Sequence, residues 1–144
     1  MNLTAIVHAP LIVVSPTDTV MHAIETTLPA KVGAVAVMDQ GAMTGIFTER
    51  DVMLKVVHQR RDPDKTQVGE VMTSPVITVP DSMAPRDALR LMLERNIRHL
   101  PVSEGGSKIA AMLSIRDLLV FLVDDLTKDI QHMEAFIGAD SPGG

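Results

Sequence analysis

Cysteine, tryptophan and tyrosine are absent from the sequence, and its only aromatic residues are three phenylalanines. Without cysteine the chain can form no disulfide, thiolate nucleophile or cysteine–zinc site, which is typical of a protein in a reducing cytoplasm. An aromatic content of 2% disfavours single-stranded nucleic acids as ligands, because their bases stack on aromatic rings. The net charge of -5 disfavours nucleic acids as well, since proteins that bind a phosphate backbone are usually basic.

A long apolar run is also missing. No stretch approaches the roughly 20 apolar residues that span a bilayer, so we expect no contact with membranes. The N-terminal MNLTAIVHAPLIVV has no basic n-region and is not typical of a signal peptide. Hydrophobic residues nevertheless make up 46% of the chain, which is enough to build a packed core. The composition therefore predicts a folded cytoplasmic protein.

An internal repeat is the main feature that the sequence does contain. The two halves match at an offset of 65 residues, and the offset becomes 66 where Thr48 and Asp51 match Ser114 and Asp117. The slip falls at a glycine-containing turn, where an insertion is tolerated. The matched apolar pairs are Ile12 and Ile77, Val14 and Val79, Ala23 and Ala88, Leu28 and Leu93, and Val37 and Val102. Two copies predict a pseudo-symmetric pair of units.

Each copy predicts the element order β-α-β-β-α. An extended segment leads into an amphipathic helix, and a buried strand, a turn and a second strand follow. A further helix begins at Thr48 in the first copy and at Ser114 in the second, where it runs on toward the C-terminus. The predicted ranges are 10–15, 19–28, 32–38 and 43–47 in the first copy, and 75–80, 83–95, 97–102 and 108–113 in the second.

Single residues predict how two of these helices begin and end. Pro29 should end or kink the first helix early, because proline lacks a backbone N–H and clashes with the preceding turn. Asp81 or Ser82 should cap the helix at 83–95, whose first turn tolerates Pro85. Between the copies, a polar linker should lead into a short helical turn before Pro75.

The repeated hydroxyl-x-x-Asp motif has two interpretations. Locally, Thr48 with Asp51 and Ser114 with Asp117 indicate helix N-caps, although a capping box usually carries Glu or Gln at the acidic position. Their repetition favours a nucleoside-phosphate site. A carboxylate one turn into a helix can accept hydrogen bonds from ribose hydroxyls, and the helix N-terminus can bind a phosphate. The two interpretations are compatible with each other.

The two halves resemble a tandem pair of cystathionine-β-synthase-type (CBS) domains, known as a Bateman module. The resemblance rests on the segments Gly45–Asp51, Ala111–Asp117 and Asn96–Val102, and it covers nearly the whole chain. It implies an α/β (α+β) fold of two pseudo-symmetric β-α-β-β-α repeats packed through their sheets. The implied boundaries are repeat 1 at 6–58, a linker at 59–70, repeat 2 at 71–125, and a C-terminal helix and tail at 126–144.

The resemblance also implies two nucleotide clefts, each formed by both repeats. The better site would contain Ile46, Thr48, Arg50, Asp51, Ile77, Arg98, His99 and Leu100. There the aspartate would bind the ribose, the three aliphatic residues would line the base, and Arg98 and His99 would face the phosphates. The other site would contain Ile12, Gly33, Ala34, Val35, Met112, Ser114, Arg116 and Asp117. We expect it to be weaker or empty, because Gly33 and Ala34 stand where the first site has two cations and only Arg116 could replace one of them.

The function implied is regulatory binding of AMP, ADP or ATP without catalysis, with NAD and S-adenosylmethionine as further ligands to test. The remaining histidines lack metal-ligand spacing, so no metal is expected. No nucleophile–base–orienter set is found, which disfavours an enzyme, and no required cofactor is expected. The alternative is a ligand-free structural or interaction module that acts through dimerisation. The helices after Thr48 and Ser114 carry apolar runs that need a partner, so we expect a homodimer. An effector protein of unknown identity is expected because the binding module takes up almost the whole chain.

Overall fold

A computed structural model describes residues 2–139, so residues 140–144 of the expected tail lie outside the described residues. The first half contains β1 (Val13–Val14), α1 (Val20–Ala30), β2 (Ala34–Asp39), β3 (Ala42–Thr48) and α2 (Glu49–Asp51), which continues as a π-helix over Val52–Val57. The second half contains α3 (Val68–Val71), β4 (Val79–Pro80), α4 (Pro85–Arg95), β5 (His99–Glu104), β6 (Lys108–Ser114) and α5 (Ile115–Ala139). A 3-10 helix at Leu3–Ile6 precedes both halves. The predicted β-α-β-β-α order is confirmed in each repeat.

The two halves form matching three-stranded sheets. In each, a short strand pairs in parallel with a central strand, which pairs antiparallel with the third. Both sheets carry a register shift at the same place, after Val37 in the first and after Val102 in the second. These two residues are also a matched pair of the sequence repeat, so the pseudo-symmetry extends to the irregularities of the sheets.

The prediction that Pro29 ends α1 early is wrong. The helix continues to Ala30, and Lys31 ends it in the left-handed conformation with its N–H donating to the carbonyls of Thr27 and Leu28. Pro29 is the last residue but one, so its missing N–H removes a single bond at the helix end. Asn96 ends α4 in the same conformation, which makes the two helix termini equivalent.

The predicted cap of α4 is also wrong. The helix has Ala84 at the N-cap position without a side-chain hydrogen bond, and Pro85 occupies its first turn as expected. Proline has no N–H to satisfy at this position, which reduces the need for a capping side chain. Asp81 instead holds the N-terminus of the chain, because its carboxylate accepts from the side-chain amide of Asn2 at 3.0 Å and its carbonyl accepts from the N–H of Leu3.

The two hydrophobic cores exchange their leading segments. Leu3 and Ile6 precede the first repeat, yet they are buried in the core of the second, against residues such as Leu100 and Leu113. Val68 and Val71 of α3 precede the second sheet, yet they are buried in the core of the first, against Val14, Val35 and Val37. Each core is thus completed by a segment that lies before the other repeat in the sequence.

The last helix extends well beyond the second core. Leu118 is completely buried in that core and anchors the start of α5, whereas every side chain from Val123 to Gly138 is exposed. The expectation that this helix runs on is confirmed. No helix among residues 2–139 is long and apolar enough to cross a membrane.

Candidate functional site

Both copies of the hydroxyl-x-x-Asp motif cap a helix. The N–H of Thr48 donates to Asp51 Oδ2 at 3.0 Å, and the N–H of Asp51 donates to Thr48 Oγ1 at 3.4 Å. The N–H of Ser114 donates to Asp117 Oδ2 at 3.0 Å, and the N–H of Asp117 donates to Ser114 Oγ at 3.1 Å. The helix-cap interpretation is therefore confirmed in both repeats. Each cap uses only one oxygen of its aspartate.

The other oxygen of Asp51 lies in a small polar cluster. Asp51 is buried, with 4% of its surface exposed, and its Oδ1 accepts a hydrogen bond from Thr73 Oγ1 at 2.8 Å. Lys55 Nζ lies 3.1 Å from the same oxygen and also donates to Thr73 Oγ1 at 3.2 Å. Lys55 thus supplies the positive charge that makes burial of this carboxylate tolerable.

Asp117 has an equivalent cluster with different chemistry. Its Oδ1 lies 3.1 Å from His8 Nδ1 and 3.3 Å from the His8 backbone N–H. His8 and Thr73 are 65 residues apart, so the two aspartates contact equivalent positions of the two leading segments. The position equivalent to Lys55 is occupied by Phe121, so this position gives Asp117 no lysine partner.

Gly33 lies beside one titratable side chain from each repeat. A Cβ added to Gly33 would lie 2.6 Å from Glu49 Oε1 and 3.4 Å from His99 Cε1, which places both side chains beside this glycine. Burial lowers the pKa of His99, the nearby charges of Glu49 and Asp117 raise it, and that of Arg98 lowers it further. Desolvation is the largest of these effects, so His99 favours its neutral form.

The remaining predicted site residues fall into two groups. Arg50 donates to the carbonyl of Asn96 at 2.9 Å and so links the two repeats, and Ile46 pairs through its backbone with Thr73. The side chains of Ile46, Ile77 and Met112 are partly or well exposed, Arg98 and Arg116 are exposed, and Ala34 is buried outside the two cores. Ile12 packs against the first core.

Leu100 was predicted to line the base with its side chain, and Val35 is its equivalent in the other predicted site. Both are at most 1% exposed and belong to the two hydrophobic cores. Because side chains alternate along a strand, their neighbours His99 and Ala34 face the opposite side of the sheet. The side chain of Leu100 therefore cannot line a base, and only the backbone of these two residues can contribute to a cleft.

Of two cavities among the described residues, only one is lined by predicted site residues. One of about 280 Å³ lies between α1 and the start of α2, where Gly33, Thr48 and Glu49 form its polar side. The other, of about 760 Å³, lies between the turns that join β2 to β3 and β5 to β6. None of the sixteen predicted site residues lines the larger cavity.

Sequence reasoning missed four residues that contact the predicted set: His8, Glu49, Lys55 and Thr73. Two signals could have found three of them. Lys55 follows Asp51 by four residues, a spacing that brings two side chains together on a helix. His8 and Thr73 share the offset of the repeat, although their residue types differ. Glu49 gave no such signal, because its contact depends on the small size of Gly33 in another element.

Comparison with known proteins gives a consistent assignment. The family model of the CBS domain matches residues 3–58 and 68–124. The CBS domain-containing protein CBSX3 of Arabidopsis thaliana, described as mitochondrial, is 35% identical over 125 residues, which cover 83% of this chain and 60% of that protein. YhcV of Bacillus subtilis, also described as a CBS domain-containing protein, is 34% identical over 107 residues, which cover 74% of this chain and 75% of that protein. An uncharacterized protein of Methanopyrus kandleri is 33% identical, and the match spans 54% of its length.

Solved structures agree with this assignment. A putative signal-transduction protein with CBS domains from Burkholderia ambifaria has a TM-score of 0.77 and 38% identity, covering 81% of this chain and 85% of that one. A CBS domain protein of Pyrobaculum aerophilum, described as complexed with AMP, has a TM-score of 0.73 and 26% identity over 86% of this chain and 99% of that one. Proteins with tandem CBS domains are regulatory, ligand-binding modules. The sequence repeat, the paired sheets and the family match together show that this chain belongs to the CBS-domain family and contains two such domains in tandem.

Proposed function

We propose that the chain is a regulatory module that binds an adenosine nucleotide, AMP, ADP or ATP, between its two repeats and carries out no catalytic step. One observation carries this proposal. Each buried aspartate lies at the start of a helix in one repeat and accepts a hydrogen bond from the leading segment of the other, Thr73 for Asp51 and His8 for Asp117. A ribose bound at either carboxylate would therefore contact both repeats at once. The AMP complex of the Pyrobaculum relative supports an adenosine nucleotide as the ligand.

The Asp51 cleft is the preferred site. Lys55 neutralises its carboxylate, and the guanidinium of Arg50 lies on the same helical turn. At the Asp117 cleft, Phe121 replaces the lysine, and the carboxylate of Glu49 lies beside Gly33, where that cleft would hold a phosphate. Because like charges repel, Glu49 disfavours a phosphate there. Thr73 and Lys55 therefore join Ile46, Thr48, Arg50, Asp51, Ile77 and Arg98 in the proposed site, with Leu100 contributing through its backbone. His99 was expected at this cleft, but it lies beside Gly33 and its pKa responds to the charge of Asp117, so we assign it to the other cleft.

A titration series tests nucleotide binding. AMP, ADP, ATP, NAD and S-adenosylmethionine are added separately, and the melting temperature and heat of binding are measured. One site at 100 times its dissociation constant stabilises the fold by about 2.7 kcal/mol, which is a readily measured shift. Adenosine without phosphate is the matched control, and we expect it to bind more weakly. If none of the compounds shifts the melting temperature, the nucleotide proposal is wrong.

A second function, self-association, is supported by a separate observation. The surfaces of the helices carry exposed apolar residues in pseudo-symmetric pairs, and a single molecule leaves them in water. The pairs are Leu28 and Leu93, Met53 and Leu119, Leu54 and Val120, and Val57 and Val123, each between 44% and 68% exposed. Exposed apolar patches of this kind mark protein interfaces, and a matching patch on both repeats suits a two-fold dimer. The proposed assembly is a homodimer in a reducing cytoplasm that acts on an effector protein.

Sedimentation equilibrium tests the homodimer. The chain has a mass of 15.6 kDa, and we expect a species of twice that mass at micromolar concentration. Val57→Asp and Val123→Asp place a charge on equivalent positions of the patch and should both weaken association. A 15.6 kDa species throughout that concentration range would overturn the proposed dimer.

A further inference from the structure

The C-terminal part of α5 is a long, exposed helical segment that takes no part in the proposed nucleotide site. We call residues 124–139 of this helix the α5 extension. At 1.5 Å per residue it is about 24 Å long, and its described side chains from Asp124 to Gly138 are all exposed. A helix of this length without tertiary contacts is only marginally stable in water. The extension therefore needs a partner that covers one of its faces.

The exposed apolar residues of α5 follow a heptad pattern. Their spacing alternates between four and three residues: Leu119, Val123, Leu126, Ile130, Met133 and Ile137. In heptad terms, Val123, Ile130 and Ile137 occupy a positions, and Leu119, Leu126 and Met133 occupy d positions. β-Branched residues at a with leucine at d favour a parallel, two-stranded coiled coil. This division of residue types suits an identical helix better than an arbitrary apolar surface.

The residues that flank this stripe include apolar side chains, which favour self-association, and like charges, which oppose it. Val120 and Phe136 widen the apolar face at e and g positions. Asp129 at g would meet Glu134 at e of the second copy, and this pair of like charges opposes association. An exposed pair of this kind has a small effect compared with the burial of six apolar side chains, so it weakens the parallel arrangement without excluding it.

The stripe is continuous with the patch on the body of the molecule. Leu119 and Val123 belong both to the heptad pattern and to the pseudo-symmetric pairs of exposed residues. A single partner can therefore cover the body patch and the extension together. Repeat 1 has no counterpart of the extension, because its equivalent helix ends at Val57.

We infer that two copies of the chain pair their α5 extensions as a parallel coiled coil, which places repeat 2 of one copy against repeat 2 of the other. This inference rests on the proposed homodimer and specifies its orientation. In a head-to-tail dimer, repeat 2 would face repeat 1 of the second copy, and the two extensions would lie at opposite edges of the assembly.

Single cysteines test the orientation, since the natural chain has none. In a parallel, in-register coil, position 130 faces its own equivalent, so the Ile130→Cys variant should form an intermolecular disulfide under mild oxidation. Gln131→Cys is the matched control, because its b position faces outward. A dimer by sedimentation in which Ile130→Cys forms no more disulfide than Gln131→Cys would overturn the inference while leaving the homodimer intact. A monomer would overturn both.

Charge substitutions give a second, independent test. Ile130→Lys should raise the dissociation constant of the dimer at least about tenfold, whereas Gln131→Lys on the outer face should leave it within about twofold. Glu134→Lys converts the repulsive contact with Asp129 of the second copy into an attractive one and should lower the dissociation constant roughly three- to tenfold. If Glu134→Lys weakens the dimer, or if Ile130→Lys and Gln131→Lys change the dissociation constant equally, the parallel arrangement is wrong.

Discussion

Asp51 is already fully engaged before any ligand is bound. One carboxylate oxygen caps α2, and the other contacts Thr73 and Lys55. A ribose hydroxyl that binds Asp51 would therefore have to replace one of these partners, and Thr73 is the partner that comes from the other repeat. Because Thr73 belongs to the leading segment of repeat 2, replacing its hydrogen bond would rearrange the contact between the repeats.

The first prediction concerns this aspartate. Asp51→Ala should reduce the affinity for AMP and ATP by at least about tenfold, since hydrogen bonds to charged groups contribute about 1.5–3 kcal/mol each. The lost cap should also lower the free energy of unfolding by about 0.5–2 kcal/mol. Calorimetric titration measures the first effect and urea unfolding the second.

Asp117→Ala is the matched control. It removes an equivalent cap, but it leaves the cleft with Lys55 and Arg50 intact, so nucleotide affinity should change less than in Asp51→Ala. Equal losses of affinity in the two variants would contradict the assignment of the preferred cleft. Lost stability with unchanged affinity in Asp51→Ala would reduce the motif to a helix cap.

The second prediction concerns His99 and pH. Burial lowers its pKa below the ordinary value of 6.5, so the unfolded chain binds the proton more readily than the folded one. The stability that neutral His99 contributes is present above pH 6.5 and is lost as the pH falls through its lowered pKa. Urea unfolding at a series of pH values should show this loss in the natural chain.

The His99→Gln variant shows how much of this pH dependence comes from His99 itself. The charges of Glu49, Asp117 and Arg98 also act on the pKa of this histidine. The variant should be less sensitive to pH than the natural chain between about pH 7 and 5. An unchanged pH dependence in His99→Gln would show that another group titrates on folding.

At the scale of elements, one close approach positions the preferred cleft. The N–H of Ile46 donates to the carbonyl of Thr73 at 3.0 Å, and the N–H of Thr73 donates back to Ile46 at 2.8 Å, so the segment before β4 lies along β3. A Cβ on Gly45 would collide with the side chain of Met72 and lie 3.1 Å from the Thr73 carbonyl oxygen. Gly45 thus allows Thr73 to reach Asp51.

The third prediction follows from this approach. Gly45→Ala should destabilise the fold by about 1–3 kcal/mol, because a backbone atom of the neighbouring segment must move. It should also weaken nucleotide binding by displacing Thr73. Gly33→Ala is the matched control, since its Cβ mainly meets the flexible end of Glu49, and it should cost less. Urea unfolding of both variants checks the order, and a larger loss in Gly33→Ala would contradict it.

The order of elements could be predicted from the sequence because apolar periodicity and the repeat both act locally. Thr48 and Asp51 were found as a pair because their contact spans three residues. The contacts of Lys55 and Thr73 with Asp51 were missed. Leu100 was given a side-chain role in the cleft although it belongs to the core. Which face of β5 is buried depends on what packs on it from elsewhere in the chain, and one sequence does not carry that information.

At the scale of the whole molecule, the exchanged leading segments make the two repeats mutually dependent. Leu3 completes the second core and Val68 the first, and both are fully buried. Neither half contains all the residues of its own core. We therefore expect the module to unfold in one cooperative transition.

The fourth prediction tests this dependence. Leu3→Ala should lower the free energy of unfolding by about 2–5 kcal/mol, as for other large apolar side chains removed from a core, although it lies near the chain terminus. The exposed neighbour Ala5 provides the control, and Ala5→Ser should change stability by no more than about 0.5 kcal/mol. Scanning calorimetry should show a single transition at a lower temperature in Leu3→Ala. Two separate transitions would contradict the mutual dependence.

The exchange has a consequence for a single repeat cut out of the chain. Residues 6–58 alone would retain Ile6 but lose Val68 and Val71, so one wall of their core would be open to water. Such a fragment could close that wall only by borrowing the corresponding segment of another molecule while lending its own. The tandem chain is in this sense a domain-swapped pair whose two members are joined by a peptide linker, and the linker converts a concentration-dependent association into a step within one molecule.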